Sequence, residues 1–154
     1  MRALRTSRLT KDRMAQAYPV IQMAVPELTF EAWRRFAGPL IAEDESRAGI
    51  VTVDNEQGYI VGLAAYRLEQ DLRGGCTLLI DHFVAVDLVQ REAVAEALVT
   101  ELESLAERCH CSALHTRVPG SGSHSLANWL VALMQTRGHD VSELLLRKSI
   151  AKSA

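Results

Sequence analysis

Residues 87–98, Asp87-Leu-Val-Gln-Arg-Glu-Ala-Val-Ala-Glu-Ala-Leu98 (DLVQREAVAEAL), decide the fold because they connect a buried strand to an amphipathic helix. The run before them, CTLLIDHFVAV at residues 76–86, is nearly continuously apolar, as expected of a central strand buried on both faces. After them, apolar side chains recur at helical spacing up to residue 108, at Val94, Leu98, Leu102 and Leu105. The sequence therefore predicts a strand, a short turn and a helix here.

The rest of the chain carries strand and helix signals on both sides of this stretch. Further strands are predicted at residues 2–9, 49–54, 58–68, 112–118 and 141–150. Further helices are predicted at residues 11–23, from residue 29, and from residue 123 or 125 to Gly138, with Pro19 causing a kink or break and Gly38-Pro39 weakening the second helix. The order β-α-α-β-β-β-α-β-α-β predicts an α/β or α+β fold, with helices on both faces of one mixed, mostly antiparallel sheet. We expect one domain over residues 1–154.

Composition excludes several classes of function. The chain is 48% hydrophobic and 23% charged, which is enough to build a core, and its net charge of −2 gives no basic excess for nucleic acid. No apolar run approaches the roughly 18 residues of a membrane span. Three cysteines and no secretion signal predict a cytoplasmic protein with reduced thiols.

Cys109-His-Cys111 is the only sequence feature that suggests a metal site. Two thiols two residues apart supply at most one pair of ligands, and no second cysteine pair completes a set of four. We predict no metal and interpret the segment as the junction between a helix end and a strand, although His110 and His115 keep a site conceivable.

The order of elements and the opening stretch resemble the GNAT superfamily of N-acyltransferases. The resemblance runs from LRTSRLTKD near the N-terminus to ALMQTRGHD in the last helix and turn. The coenzyme A turn of the family reads Q/R-x-x-G-x-G/A, and Gln90-Arg-Glu-Ala-Val-Ala95 matches it with Ala93 in place of the first glycine. Without its context, the same hexapeptide is also typical of a plain alanine-rich helix start.

The resemblance implies acetyl-coenzyme A, or another acyl-coenzyme A, as co-substrate. Its pyrophosphate would be held by Gln90, Arg91, Glu92, Ala93, Val94 and Ala95, because N–H groups and the helix dipole favour anions at a helix N-terminus. Its pantetheine arm would lie in the opening between the central strand and the next one, bonded to backbone groups of Phe83, Val84 and Val86. Asn128 would be a further contact. Glu92 would repel the pyrophosphate unless it points to solvent, and Arg91 would offset it.

The resemblance also implies a catalytic base, and His82 is our prediction for it, because imidazole accepts protons near neutral pH. Strict alternation would place Asp81 on the opposite face of the strand. A hydrogen-bonded structural histidine is the alternative. The usual acid, a tyrosine four residues before Gly138, is replaced by Met134, and His124, Ser125 and His139 are the donors nearby.

The acceptor implied is an amine of a small molecule or a protein, near two early helices whose aromatic residues would line its site or the core. These residues are Tyr18, Trp33 and Phe36, together with Tyr66 of a strand. A homodimer through the C-terminal strands is compatible with the sequence. Two other functions stay open: a domain that binds coenzyme A without transfer, and an unrelated interaction domain.

Overall fold

A mixed five-stranded sheet forms the centre of the computed structural model, which describes residues 3–87, 89–118, 124–143 and 145–150. The side chains of residues 124–128 are outside this description. The elements are β1 (Arg5–Arg8), α1 (Met14–Ala24, after a 3₁₀ turn at Lys11–Arg13), α2 (Phe30–Ala42), β2 (Ala48–Asp54), β3 (Ile60–Gln70), β4 (Cys76–Ala85), α3 (Arg91–Arg108), β5 (Ala113–Thr116) and α4 (His124–Thr136). The strands lie in chain order, with β1 to β4 antiparallel and β5 parallel to β4. The predicted mixed, mostly antiparallel sheet is confirmed.

Helices cover both faces of the sheet because its central strands are apolar on both sides. One face, called here the α1/α2 face, carries Ile50, Leu63, Ala65 and Val84 beneath α1 and α2. The other, the α3/α4 face, carries Val51, Tyr66, Leu78 and Ile80 beneath α3. α4 packs against α3 through Leu130 and Met134. Burial on both faces explains why β2, β3 and β4 lack a simple polar–apolar alternation.

The two prolines within predicted helices do not end them. α1 continues through Pro19, and α2 continues through Gly38 and Pro39 to Ala42. Gly38 has no Cβ to clash with the ring of Pro39. The guanidinium of Arg8 donates to the carbonyl oxygens of Leu40 and Glu43 at the end of the helix, and the Leu40 carbonyl also accepts the Glu43 N–H. The expected weakening of the second helix at Gly38-Pro39 is therefore wrong.

The strand predicted at residues 141–150 is also wrong. Residues 141–143 and 145–150 form no strand, and their large apolar side chains are exposed, among them Val141, Leu146 and Ile150. Apolar residues in a row make a strand only when their backbone groups pair with another strand, and residues 141–143 and 145–150 pair with none of the five described strands.

Gly62 of β3 lets the first turns of α3 lie close to the sheet. A Cβ at this position would lie 2.5 Å from Val94 Cγ1 and 3.2 Å from the carbonyl oxygen of Val84. Val94 is fully buried and β-branched, so it has little freedom to move aside. Gly62→Ala should therefore lower the free energy of unfolding by about 1–3 kcal/mol, measured by urea denaturation. In a Val94→Ala background the same change should cost less, and an equal cost in both backgrounds would contradict this packing.

Candidate active site

A bulge in β4 at His82 is the central feature of the site. The β3–β4 register pairs Ala65 with Asp81 and Leu63 with Val84, so that His82 and Phe83 together oppose a single residue. His82 has φ 55°, in the left-handed region that residues other than glycine rarely adopt. The extra residue shifts the alternation of β4 beyond this point.

The bulge places Asp81 and His82 on the same face of the sheet. Asp81 shares the α1/α2 face with its partner Ala65, since directly paired residues point the same way. The His82 ring meets Phe36 of α2 edge-on, with ring centroids 5.2 Å apart. The predicted opposite-face arrangement is wrong because strict alternation assumes a strand without an extra residue. Ile80, by contrast, is buried on the α3/α4 face.

The His82 imidazole is exposed and makes no hydrogen bond to the residues that the structure describes. The described contacts therefore do not support the alternative of a hydrogen-bonded structural histidine. Asp81 is partnered, since its carboxylate lies 3.5 Å from the Arg117 guanidinium. The imidazole is thus placed at the surface of the α1/α2 face, accessible to a substrate.

β4 and β5 separate immediately before the bulge. Their parallel pairing ends at Ile80 and Thr116, followed by one hydrogen bond of 3.0 Å from the Arg117 N–H to the Ile80 carbonyl. β4 continues to Ala85, paired with β3 on its other side. No described residue pairs with the last third of β4 on the β5 side, which leaves an open edge there, and His82 stands where this opening begins.

Hydrogen-bond parity identifies the backbone groups that face the opening. The Val86 N–H donates to the Val61 carbonyl at 2.9 Å, so the backbone groups of Val86 point toward β3. Those of Val84, two residues earlier on the strand, point the same way. In an antiparallel pair, alternate residues point away from the partner strand. The N–H and carbonyl groups of Phe83 and Ala85 therefore point toward the opening. Phe83 was predicted and Ala85 was missed, because only the bulge reveals the change of parity.

The turn into α3 is held by Asp87, whose carboxylate accepts the N–H groups of Val89 and Gln90 at 2.9 Å. Gln90 is the N-cap, and its carbonyl accepts the Val94 N–H at 3.0 Å. Residues 91–93 form the first turn, whose N–H groups have no carbonyl earlier in the helix to bond. These groups, rather than those of Val94 and Ala95, are placed to meet an anion.

Side chains of the first turn leave its outer surface open. Arg91, Glu92 and Ala93 are exposed, whereas Val94 and Ala95 are fully buried against the sheet and α4. The Arg91 guanidinium lies over the Trp129 ring of α4, 4.6 Å from its centroid.

Three buried polar atoms near the opening lack hydrogen-bond partners among the described residues. They are Gln90 Nε2 at the cap of α3, Thr116 Oγ1 at the end of β5, and Trp129 Nε1 of α4. Buried polar groups are normally hydrogen-bonded, so unpartnered ones next to an open strand edge indicate a ligand site. All three can donate to the phosphate or amide oxygens of an acyl-coenzyme A, so the residues fit the predicted co-substrate.

Other predicted residues lie elsewhere. Met134 is buried in the cluster between α3 and α4. The ring of His139 lies 3.3 Å from the Glu103 carboxylate. Tyr66 is buried on the α3/α4 face and donates to the Glu45 carbonyl, and burial raises the pKa of its hydroxyl. The side chains of His124, Ser125 and Asn128 are outside the described part, so their roles stay predictions.

The aromatic residues of the early helices belong mainly to the core. Trp33 is buried and donates to the Met14 carbonyl at 2.9 Å, and Tyr18 donates to the Leu28 carbonyl at 2.6 Å. Only Phe36 reaches His82.

The three thiols lie near the junction of α3 and β5. α3 ends at Arg108, and His110 follows with φ 58°, as in a helix C-terminal cap, so the predicted junction is confirmed. Cys111 Sγ lies 2.7 Å from Cys76 Sγ, and burial together with this contact raises the pKa of Cys111 to about 12. Its thiol therefore stays protonated at neutral pH. Among the described residues, no group of three or more His, Cys, Asp or Glu is arranged to hold a metal.

Comparison with known proteins decides the family. The sequence profile described as acetyltransferase (GNAT) family matches residues 8–128. The chain belongs to the GNAT family. This membership confirms the recognised resemblance and the predicted class of co-substrate, an acyl-coenzyme A. No curated protein sequence matches the chain significantly.

Solved structures with the same fold include GNAT enzymes of different acceptors. The aminoglycoside N-acetyltransferase AAC(6')-Iy in complex with CoA matches with a TM-score of 0.78 at 11% identity, over 97% of this chain and 96% of that one. Glucosamine-6-phosphate N-acetyltransferase from Arabidopsis thaliana matches with a TM-score of 0.75 at 12% identity, over 97% and 99%. An aminoglycoside acetyltransferase from an uncultured soil metagenomic sample matches with a TM-score of 0.69 at 17% identity, over 98% and 99%. At these identities the likeness shows the fold.

Within the described residues, no helix is long and apolar enough to cross a membrane.

Proposed function

We propose that this GNAT protein transfers an acetyl or other acyl group from acyl-coenzyme A to an amine. The observation that carries the proposal is the open edge of β4, which has an exposed imidazole at one end and the first turn of α3 at the other. These two ends supply a group that takes up a proton and a group that binds an anion, and the backbone between them is available for hydrogen bonds.

Different residues along this edge bind different parts of the co-substrate. The N–H groups of residues 91–93 and the helix dipole bind the pyrophosphate, and Gln90 Nε2 adds a donor. The backbone groups of Phe83 and Ala85 bond the pantetheine arm as an added strand would, whereas those of Val84 and Val86, also predicted for this role, face β3. Asn128 stays a predicted contact. Glu92 is exposed, so screening by solvent and salt reduces its repulsion of the pyrophosphate.

His82 acts as the base. It removes a proton from the acceptor ammonium, directly or through one water, so that the amine nitrogen can attack. Acyl-coenzyme A supplies the acyl group as a thioester. A C–N bond forms, the C–S bond breaks, the thiolate takes up one proton, and the net products are the amide, free coenzyme A and one proton. Met134 cannot supply that proton to the thiolate, which leaves water or an unassigned donor for the step.

A second function is favoured by one observation. Met134, buried where the family usually has a tyrosine acid, fits a domain that binds coenzyme A without transferring the acyl group. Such a domain would keep the binding residues and lose turnover.

The experiment that separates these functions has two parts. Calorimetry with acetyl-coenzyme A measures binding, and release of free coenzyme A thiol in the presence of an amine panel measures transfer. The proposed function predicts binding together with amine-dependent release. Binding without release would support the second function, and no binding at millimolar ligand would overturn both.

The remaining proposals concern assembly and location. A net charge of −2 and three free cysteines support a cytoplasmic protein whose acceptor is a small-molecule or protein amine rather than nucleic acid. The exposed Val141, Leu145, Leu146 and Ile150 support a homodimer formed through the C-terminal segment. Sedimentation equilibrium of the full chain tests the dimer, and a monomer at micromolar concentration would exclude it.

A further inference from the structure

An arginine-rich cleft opens on the α1/α2 face beside the site. It measures about 420 Å³ and lies between the second half of α2 and the adjoining parts of β2 and β3. Three guanidinium groups line it, those of Arg35, Arg47 and Arg67, together with one carboxylate, Glu43. Three positive charges against one negative charge leave an excess of two positive charges.

The cleft shares one wall residue, Phe36, with the surroundings of His82. Phe36 forms part of its wall and also meets the His82 ring, with ring centroids 5.2 Å apart. Arg67 lies two residues from Ala65 on β3, and Ala65 pairs with Asp81, the residue before His82. Two residues along a strand span about 7 Å, so one small molecule can reach from the imidazole to the arginines.

No short ion pair or hydrogen bond engages the lining arginines among the described residues, although Arg47 interacts with the more distant Asp44 carboxylate. Within the described part of the chain, the side chains of Arg35, Arg47 and Arg67 make no ion pair and no hydrogen bond, whereas the adjacent Arg34 pairs with Glu31. The backbone of this region is held firmly: the Leu68 N–H donates to the Arg47 carbonyl at 2.9 Å, and Arg67 pairs with both Ala48 and Leu79. Three unpaired guanidinium groups on a fixed frame favour an anion in the cleft.

We propose that the acceptor amine carries an anionic group, a carboxylate or a phosphate, which binds Arg35, Arg47 and Arg67 while the amine lies at His82. This inference rests on the proposed function and adds the class of acceptor. A polycationic acceptor is disfavoured because the same arginines repel it. The anionic group also brings substrate to the site by electrostatic attraction, so the rate should fall with added salt.

A matched series of six-carbon acceptors tests the inference. The series consists of ε-aminocaproate, aminohexyl phosphate, aminohexanol and hexamethylenediamine. We expect kcat/KM for at least one anionic acceptor to exceed that of aminohexanol by about tenfold or more, and that of the diamine to be lowest. The better of the two anions identifies the charged group. Equal values across the series, or preference for the diamine, would overturn the inference.

Variants locate the effect in the cleft. Arg67→Gln, and the Arg35→Gln/Arg67→Gln pair, should reduce the ratio of anionic to neutral acceptor toward one, whereas Arg34→Gln next to the cleft should keep it. Calorimetry of aminohexyl phosphate and of hexamethylenediamine gives a readout without turnover. Aminohexyl phosphate binding that is lost in Arg67→Gln supports the anion site even if no amine is acylated. Absence of acylation would overturn the proposed function alone. Failure of both aminohexyl phosphate and ε-aminocaproate to bind the intact chain would overturn the site.

Discussion

Replacement of His82 by asparagine should lower kcat for amine acylation by about 100-fold or more, the usual contribution of a positioned base. Asparagine is a sharper choice than alanine because it tolerates the left-handed backbone at φ 55° and keeps the bulge, yet it does not take up the proton. The KM for acetyl-coenzyme A should change little. The measurement is amine-dependent release of coenzyme A thiol at saturating acceptor.

The chain contains a matched control for this substitution. His110 has nearly the same backbone conformation, φ 58°, but lies at the end of α3, away from the site. His110→Asn should keep full activity. His82→Gly, which relieves the backbone, should recover part of its activity when free imidazole is added. Full activity of His82→Asn would remove His82 from the role of base.

Replacement of Ala93 by glutamate should raise the Kd for acetyl-coenzyme A by about tenfold or more, because it sets a second carboxylate beside the pyrophosphate site. The same carboxylate lies in the first turn of α3, where it should stabilise the helix by about 0.3–1 kcal/mol. Binding and stability should therefore change in opposite directions. Calorimetry and urea denaturation measure the two effects.

Thr100→Glu is the matched control for Ala93→Glu. Thr100 is exposed on the same helix, and it lies seven residues farther along, at about 1.5 Å per residue. Thr100→Glu adds the same charge far from the first turn, so its Kd for acetyl-coenzyme A should stay close to that of the intact chain. An unchanged Kd in Ala93→Glu would mean that the pyrophosphate does not lie at residues 91–93.

Local patterns in the sequence predict much of the fold. The apolar run that becomes β4 and the helical spacing of Val94, Leu98 and Leu102 fix a strand and a helix without knowledge of distant residues. Gln90 and Ala93 also fall at the cap and first turn of α3, as the coenzyme A turn requires. The register of a short motif is a local property, and the sequence is informative about such properties.

Features that depend on distant partners were not predictable. The side on which His82 projects depends on one extra residue against Ala64, which no feature of β4 alone reveals. Ala85 was missed for the same reason. The end of α2 beyond Pro39 is contacted by Arg8, more than thirty residues earlier, and the C-terminal apolar run pairs with no strand of the described sheet. The arginine-rich cleft likewise joins Arg35 of α2, Arg47 of the turn before β2, and Arg67 of β3.

Whether this GNAT protein transfers acyl groups is tested most directly by coenzyme A release from acetyl-coenzyme A with the acceptor series of ε-aminocaproate, aminohexyl phosphate, aminohexanol and hexamethylenediamine. The measurement uses the full chain at a concentration of acetyl-coenzyme A that saturates binding by calorimetry. The open edge of β4 beside His82 predicts release that depends on the amine and is nearly lost in His82→Asn. Saturated binding with no amine-dependent release would contradict the proposed transfer and leave a domain that only holds the co-substrate.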